Sequence, residues 1–133
     1  MVKEPDWNKL LGWGKQQVND LRLLAYSYVR QGVYDVALTV FDALAVLDPS
    51  SSYDLQSIGA IHLQQGNGLD ALEFLDRALE LDPQHLPTRL NRVKALFMIG
   101  SMEEGLVEAK KLTSSIDPEI AGQAAALLLA YRD

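Results

Sequence analysis

Cysteine is absent from the 133 residues of this chain. Its absence excludes disulfides, a thiolate metal site and a cysteine nucleophile, and it fits a reducing compartment such as the cytosol. Histidine is scarce: His62 and His85 are the only two, and their separation (85 − 62 = 23 residues) matches no common metal-ligand spacing. The sequence also has no glycine-rich phosphate loop after a strand, so we expect no enzyme, no cofactor and no metal.

Positive charge is in short supply as well, with 12 Lys and Arg against 18 Asp and Glu and a net charge of −6. Proteins that bind nucleic acid usually carry a basic stripe, so we expect no nucleic-acid partner. The longest apolar run covers residues 124–130, far below the roughly 20 residues of a membrane-spanning helix. Residues 1–7 carry charges where a signal peptide needs an apolar segment, so we expect no export by that route and a cytoplasmic location.

The chain does contain an internal repeat. Residues 32–49 read GVYDVALTVFDALAVLDP and residues 66–83 read GNGLDALEFLDRALELDP, so glycine and proline recur 34 residues apart (66 − 32 and 83 − 49). Apolar residues before and within each copy follow helical spacing. A period near 34 residues with a closing proline is typical of a helix–turn–helix array, and we therefore predict an all-α fold.

A single domain is predicted for residues 1–133, because this length suits one compact core. Gly100, 34 residues after Gly66 (100 − 66), and Pro118, 35 after Pro83 (118 − 83), indicate a third and weaker copy. The predicted segments are an N-terminal arm over 1–17, repeats over 18–51, 52–85 and 86–118, and a capping helix over 119–133.

Both ends of the chain allow two interpretations. Trp7 and Trp13 of the arm either cap the first repeat or dock a partner, because tryptophan is frequent at both kinds of surface. The last helix is apolar on all sides over residues 124–130. It either caps the stack or is covered further by self-association or by a small co-chaperone.

The repeat resembles the tetratricopeptide repeat. In the first copy the resemblance rests on Leu21, Leu24, Ala25, Tyr28, Tyr34, Ala37, Phe41 and Pro49, and in the second on Leu55, Ile58, Gly59, His62, Ala71, Leu75, Ala78 and Pro83. It implies a right-handed α-solenoid of three helix pairs, with a short N-terminal helix and a C-terminal capping helix. The third copy departs from the pattern, because Arg89 and Arg92 stand where apolar residues usually lie.

A narrower resemblance concerns residues 32–48, whose pattern of glycine, tyrosine, alanine and phenylalanine is similar to bacterial type III secretion chaperones of this repeat class. Those proteins are small, acidic and cytoplasmic, and they keep needle or translocator subunits soluble before export. The apolar last helix allows a small co-chaperone, or a homodimer when no partner is bound. The resemblance implies the same function here, with such a subunit as partner. The alternative is a general scaffold or adaptor module of another multiprotein assembly.

The resemblance also implies which residues meet a partner, because in this family the first helix of each pair lines a concave groove. The expected partner-binding residues are Arg22, Tyr26, Val29, Arg30, Tyr53, Gln56, Ala60, Leu63, Leu90, Lys94 and Phe97. They combine apolar anchors with a cationic edge, a surface that suits an apolar helix or an extended peptide. Family members that grip a C-terminal carboxylate use paired Lys and Asn in the groove, and Tyr26, Ser57 and Leu90 do not reproduce that clamp.

Overall fold

The computed structural model describes residues 5–132, and every regular element in that range is an α-helix. In chain order these are α1 (Trp7–Leu11), α2 (Lys15–Arg30), α3 (Tyr34–Leu47), α4 (Ser52–Gln64), α5 (Gly68–Leu81), α6 (Leu86–Met98), α7 (Met102–Leu112) and α8 (Pro118–Tyr131). Helices α2/α3, α4/α5 and α6/α7 form three pairs, which stack through α3–α4 and α5–α6. The prediction of an all-α repeat fold is confirmed. Helix α2 begins at Lys15, ahead of the expected repeat boundary at residue 18, and α8 begins at Pro118.

Each helix pair turns at a glycine in the same repeat position. Gly32, Gly66 and Gly100 have φ angles of 75°, 80° and 84°, a left-handed conformation that glycine adopts without a steric penalty. The residue after each glycine donates its N–H to a carbonyl in the last helical turn, as Val33 does to Tyr28 at 2.9 Å. This closure ends α2, α4 and α6 where the sequence predicts.

Small residues let the helices of the second pair approach closely. A Cβ atom added to Gly59 of α4 would lie 2.7 Å from Leu75 of α5, and Ala71 beside it is fully buried. The third pair reverses the arrangement: Phe97 of α6 lies against Gly105 of α7, where an added Cβ would be 2.6 Å from the ring. The bulky side chain therefore comes from α5 in one pair and from α6 in the next.

The third pair forms despite its arginines. Arg92 donates from Nε to Asp76 Oδ1 at 2.6 Å and from Nη2 to Glu104 Oε1 at 3.0 Å. Burial lowers the pKa of Arg92, but the hydrogen bonds to Asp76 and Glu104 outweigh that effect and raise it. An ion-pair bridge from α6 to α5 and α7 thus replaces the expected apolar contact.

The two ends of the stack are covered to different degrees. Asn8 of α1 donates its side-chain amide to the carbonyl of Leu47 at the end of α3, while Trp7 stays half-exposed. At the other end, α8 packs Ile120 and Ala124 against α6 and α7 and leaves Leu129 exposed on its outer side. The last helix therefore caps the stack with one face only. None of the helices in residues 5–132 has the length and apolar character needed to cross a membrane.

Candidate partner-binding cavity

A cavity of about 290 Å³ opens between α2 and α4, the first helices of the first two pairs. Its lining consists of Tyr26 and Val29 from α2, Tyr34 and Phe41 from α3, and Tyr53, Ser57, Ala60, Ile61 and Gln64 from α4. We call it the tyrosine cavity. It brings together four of the expected partner-binding residues, namely Tyr26, Val29, Tyr53 and Ala60.

The tyrosine cavity has a fixed floor and accessible walls. Phe41 and Ile61 are 1% and 3% exposed, whereas Tyr26 and Tyr53 are 48% and 44% exposed. The ring of Phe41 meets that of Tyr53 edge-to-face, with centroids 6.4 Å apart and an interplanar angle of 63°. Such edge-to-face contact is favourable beyond the buried area, so it holds one wall against the floor. A concave apolar site with a few polar groups at its edge can accept an apolar side chain.

Arg30 places a positive charge beside the Tyr26 wall. Its guanidinium carbon lies 6.0 Å from the centroid of the Tyr26 ring, at the outer limit of a cation–π contact. The side chain is exposed and lies one helical turn beyond Tyr26. This position agrees with the expected cationic edge.

Arg22, expected at the same edge, is engaged within the protein instead. Its Nε and Nη2 atoms donate to the two carboxylate oxygens of Asp54 at 2.7 and 2.8 Å, and Nη2 also reaches Asp48 at 3.1 Å. The hydrogen bond to Asp54 is the main cause of the raised pKa of Arg22. The guanidinium of Arg22 is thus held within the protein by a fully buried carboxylate, in contrast to its expected position on the cationic edge.

Leu90 and Phe97, two further expected anchors, are buried in the core and do not line a groove. They are 3% and 4% exposed and belong to a core cluster with α7 and α8. The ring of Phe97 stacks on Tyr131 of α8, with centroids 4.2 Å apart and planes at 10°. The physical reason is packing on two neighbours: α8 packs on α6, and Phe97 also fills the space beside Gly105 of α7.

The remaining expected residues lie outside the tyrosine cavity. Leu63 is half-buried against Leu72 and the buried cluster at the contact between the second and third pairs. Gln56 is half-buried, and its amide donates to the hydroxyl of Ser52 at 3.4 Å. Lys94 is half-buried on α6. These three residues do not share a site with the two tyrosine walls.

Sequence reasoning missed part of the lining. The repeat pattern includes Phe41 but does not single out Ile61, yet both form the cavity floor. Tyr34 was assigned to the repeat pattern, although its equivalent one repeat later is Gly68 (68 − 34 = 34). A bulky ring at a position where the next copy has glycine could have indicated that the two repeats pack differently at this point. Within residues 5–132, no cluster of three or more His, Cys, Asp or Glu is placed to hold a metal ion.

Comparison with known proteins supports the repeat fold. No family model matches the chain. It is 31% identical over 89 residues to anaphase-promoting complex subunit 3 of Schizosaccharomyces pombe, which is 67% of this chain and 13% of the relative. The chain thus spans about an eighth of the length of that curated relative.

Solved structures match over most of the chain. The Yersinia enterocolitica type III secretion chaperone SycD, in complex with a peptide of the translocator YopD, has a TM-score of 0.78 at 24% identity, covering 89% of this chain and 94% of SycD. The first tetratricopeptide domain of Spaghetti (RPAP3), bound to the HSP90 peptide SRMEEVD, has a TM-score of 0.77 at 17% identity, covering 89% and 92%. At such identities the likeness concerns the fold. The protein has the tetratricopeptide-repeat fold, and it resembles structures of type III secretion chaperones among others.

Proposed function

We propose that this protein is a binding protein that holds an apolar segment of a partner in the tyrosine cavity. The observation that carries the proposal is the pair of half-exposed rings, Tyr26 and Tyr53, above a buried apolar floor. Exposed aromatic side chains around a concave apolar site are typical of protein-binding hot spots. Because the lining is mostly apolar and aromatic, the proposed activity is binding.

We further propose that the partner is an export subunit of a type III secretion system, kept soluble in the cytoplasm before export. Two observations support this choice over other partners. The neighbour SycD was solved with a translocator peptide, and its fold covers most of this chain. Tyr26, Ser57 and Leu90 also do not reproduce the paired Lys and Asn of a carboxylate clamp, which argues against a partner held by its C-terminal carboxylate.

Fluorescence anisotropy with two labelled peptides tests the proposal. We expect the YopD peptide to bind with a dissociation constant near 1 µM, about −8 kcal/mol, and SRMEEVD to bind at least about 100-fold more weakly. Tyr26→Glu should remove binding of the YopD peptide while circular dichroism stays unchanged, because the side chain is half-exposed. Leu23→Glu is the matched control, since Leu23 lies on the same helix, is 67% exposed and does not line the cavity. Equal binding of both peptides, or loss of binding in the Leu23 variant, would contradict the proposal.

The alternative function is a scaffold or adaptor module, and the match to a subunit of the anaphase-promoting complex favours it. Co-expression with needle and translocator subunits encoded near its gene separates the two functions. A chaperone keeps one of these subunits soluble and co-purifies with it. If every subunit stays insoluble while the protein itself is folded, the scaffold function is the better account. The expected homodimer and co-chaperone remain predictions, which light scattering of the unpartnered protein and of the co-purified complex would test.

A further inference from the structure

A single ion pair links the two helices that wall the tyrosine cavity. Arg22 of α2 presents its guanidinium fork to Asp54 of α4, with both carboxylate oxygens engaged at 2.7 and 2.8 Å. Asn19 accepts a bond from Nη1 at 2.9 Å and Asp48 one from Nη2 at 3.1 Å, so three side chains orient the fork. A bidentate arginine–carboxylate pair fixes both distance and angle, which a single hydrogen bond does not.

The backbones of these two helices are farther apart than those of the next two first helices. The backbones of α4 and α6 approach closely along the next pair of first helices, whereas those of α2 and α4 hardly do. At the repeat positions equivalent to Arg22 and Asp54, α4 and α6 carry Gln56 and Thr88 (56 − 22 and 88 − 54 both equal 34). The long ion pair is therefore specific to the place where the two helices stand apart.

The ion pair also lies next to the cavity walls along the chain. Tyr26 is one helical turn after Arg22, and Tyr53 directly precedes Asp54. Any change in the Arg22–Asp54 distance must therefore move one tyrosine relative to the other. A buried ion pair is often no more stabilising than apolar residues of the same volume. We therefore infer that this pair fixes the relative position of α2 and α4 rather than adding stability.

We propose that Arg22 and Asp54 are positioning residues that set the width of the tyrosine cavity. The inference rests on the proposed binding function, because only a bound side chain gives the width a consequence. It assigns Arg22 an indirect role: the residue does not contact the partner but fixes the walls that do.

Electron–electron distance measurements test this inference directly. The chain has no cysteine, so spin labels can be attached at introduced cysteines alone. Gln31 and Gln65 are suitable label sites, because both are exposed residues that follow α2 and α4 at equivalent positions (65 − 31 = 34). We expect a narrow distance distribution in the parent protein and a broader one in Arg22→Lys, since lysine cannot form the fork. The same variant should bind the YopD peptide about tenfold more weakly, equal to 1.4 kcal/mol.

Arg92→Lys is the matched control. Arg92 has nearly the same side-chain exposure as Arg22, 23% against 20%, and also bridges two carboxylates, but away from the tyrosine cavity. It should leave both the distance distribution and the peptide affinity unchanged. The inference is overturned if Arg22→Lys keeps the narrow distribution, or if Arg92→Lys broadens it equally.

The two proposals can fail separately. If the parent protein does not bind the YopD peptide, the proposed partner is wrong, and the distance distribution alone decides the positioning role. If Arg22→Lys does not fold, the double variant Arg22→Met with Asp54→Leu retains similar volume and removes the fork. A narrow distribution in that double variant would overturn the inference, and a broad one would support it.

Discussion

The contact between the first and second helix pairs, the first junction, differs from that between the second and third, the second junction. At the first, α2 and α4 stand apart, and the Arg22–Asp54 ion pair spans the distance beside an open cavity. At the second, α4 and α6 approach closely, and Leu63 packs with a buried cluster that includes Ala95. The same repeat period thus produces one junction with a cavity between its first helices and one whose first helices pack closely.

Side-chain size accounts for much of this difference. Tyr34 lines the cavity at the first junction, and its equivalent at the second is Gly68. A Cβ atom added to Gly68 would lie 2.8 Å from Ile99 Cγ2 and 3.1 Å from Met98 Cγ, so these two side chains occupy the space that a larger residue would need. Closely packed interiors leave no cavity where neighbouring side chains can fill the space. In this repeat array the cavity therefore lies where a small residue is replaced by a large one.

The largest effects on stability and binding are expected from removing one buried core side chain at each junction. Phe41→Ala is compared with Leu75→Ala at the equivalent repeat position (75 − 41 = 34). Both side chains are essentially fully buried, so we expect losses of about 3–5 and 2–5 kcal/mol in the free energy of unfolding. Only Phe41 also forms the cavity floor, so only its removal should abolish peptide binding at a temperature where both variants are folded. Urea unfolding and anisotropy measure the two effects, and equal binding by both variants would contradict the comparison.

The next largest effect is expected from removing one buried polar contact at each junction. Asp54→Ala removes a fully buried carboxylate from Arg22, and we expect a loss of about 2–3 kcal/mol. The value is below that of a fully buried pair because Arg22 is partly exposed and keeps Asp48. At the second junction, Thr88→Ala removes only the bond to His85, 2.7 Å long, and should cost about 1 kcal/mol. If chemical denaturation gives the same loss for both variants, the first junction is not specially dependent on its ion pair.

Substitution by glutamate at one expected groove residue of each junction distinguishes a residue that packs in the core from one that is free to bind a partner. Leu63→Glu places a charge against the cluster of the second junction and should lower stability by about 1–3 kcal/mol. Tyr26→Glu changes a half-exposed residue and should stay within about 0.5 kcal/mol of the parent protein. Thermal unfolding followed by circular dichroism provides the measurement. A folded, fully stable Leu63 variant would show that this residue belongs to the binding surface after all.

The smallest effect concerns two equivalent carboxylates, Asp42 and Asp76 (76 − 42 = 34). Asp76 pairs with Arg92, whereas among the described residues Asp42 forms no ion pair. Burial raises the pKa of Asp42 above the ordinary value of 3.8, and nearby His62 partly opposes this shift. We expect Asp76→Asn to lower stability by about 0.5 kcal/mol and Asp42→Asn to leave it unchanged or slightly higher at pH 7.

The pH dependence of the Asp42 effect has a definite sign. Because the folded state holds its proton more tightly, stability from this group decreases as pH rises from about 3.8 through the raised pKa. Urea unfolding between pH 4 and pH 7 should therefore show a smaller decrease of this kind in Asp42→Asn than in the parent protein. A steeper decrease in the variant would show that Asp42 is stabilising as a carboxylate.

Much of the fold could be predicted from the sequence because helix signals are local. Gly32 and Gly66 end their helices, as expected from residues that adopt positive φ. Asp6 caps α1 by accepting a bond from the N–H of Lys9 at 3.1 Å, and Gly12 ends that helix in the left-handed conformation. Such features depend on residues within one or two turns, so a single sequence shows them.

The candidate site could be predicted only in part. Tyr26 and Tyr53 lie on the first helices of their pairs, where the family geometry implies a groove, and they line the same cavity. Position alone could not show that Arg22 would pair with Asp54, 32 residues away. Nor could it show that α8 would cover Phe97. In both cases the residue lies on the expected helix, but a residue from another helix determines whether its side chain is exposed.

The sequence by itself determined the helices, their turns and the 34-residue period, because these follow from local spacing and from glycine and proline. Only the tertiary structure decided which of the equivalent positions form a cavity. The distance between two helices depends on the side chains that meet from different repeats, and those contacts are non-local. The Arg22–Asp54 ion pair spans the gap between α2 and α4 beside the aromatic rings of the cavity, whereas α4 and α6 pack closely against each other.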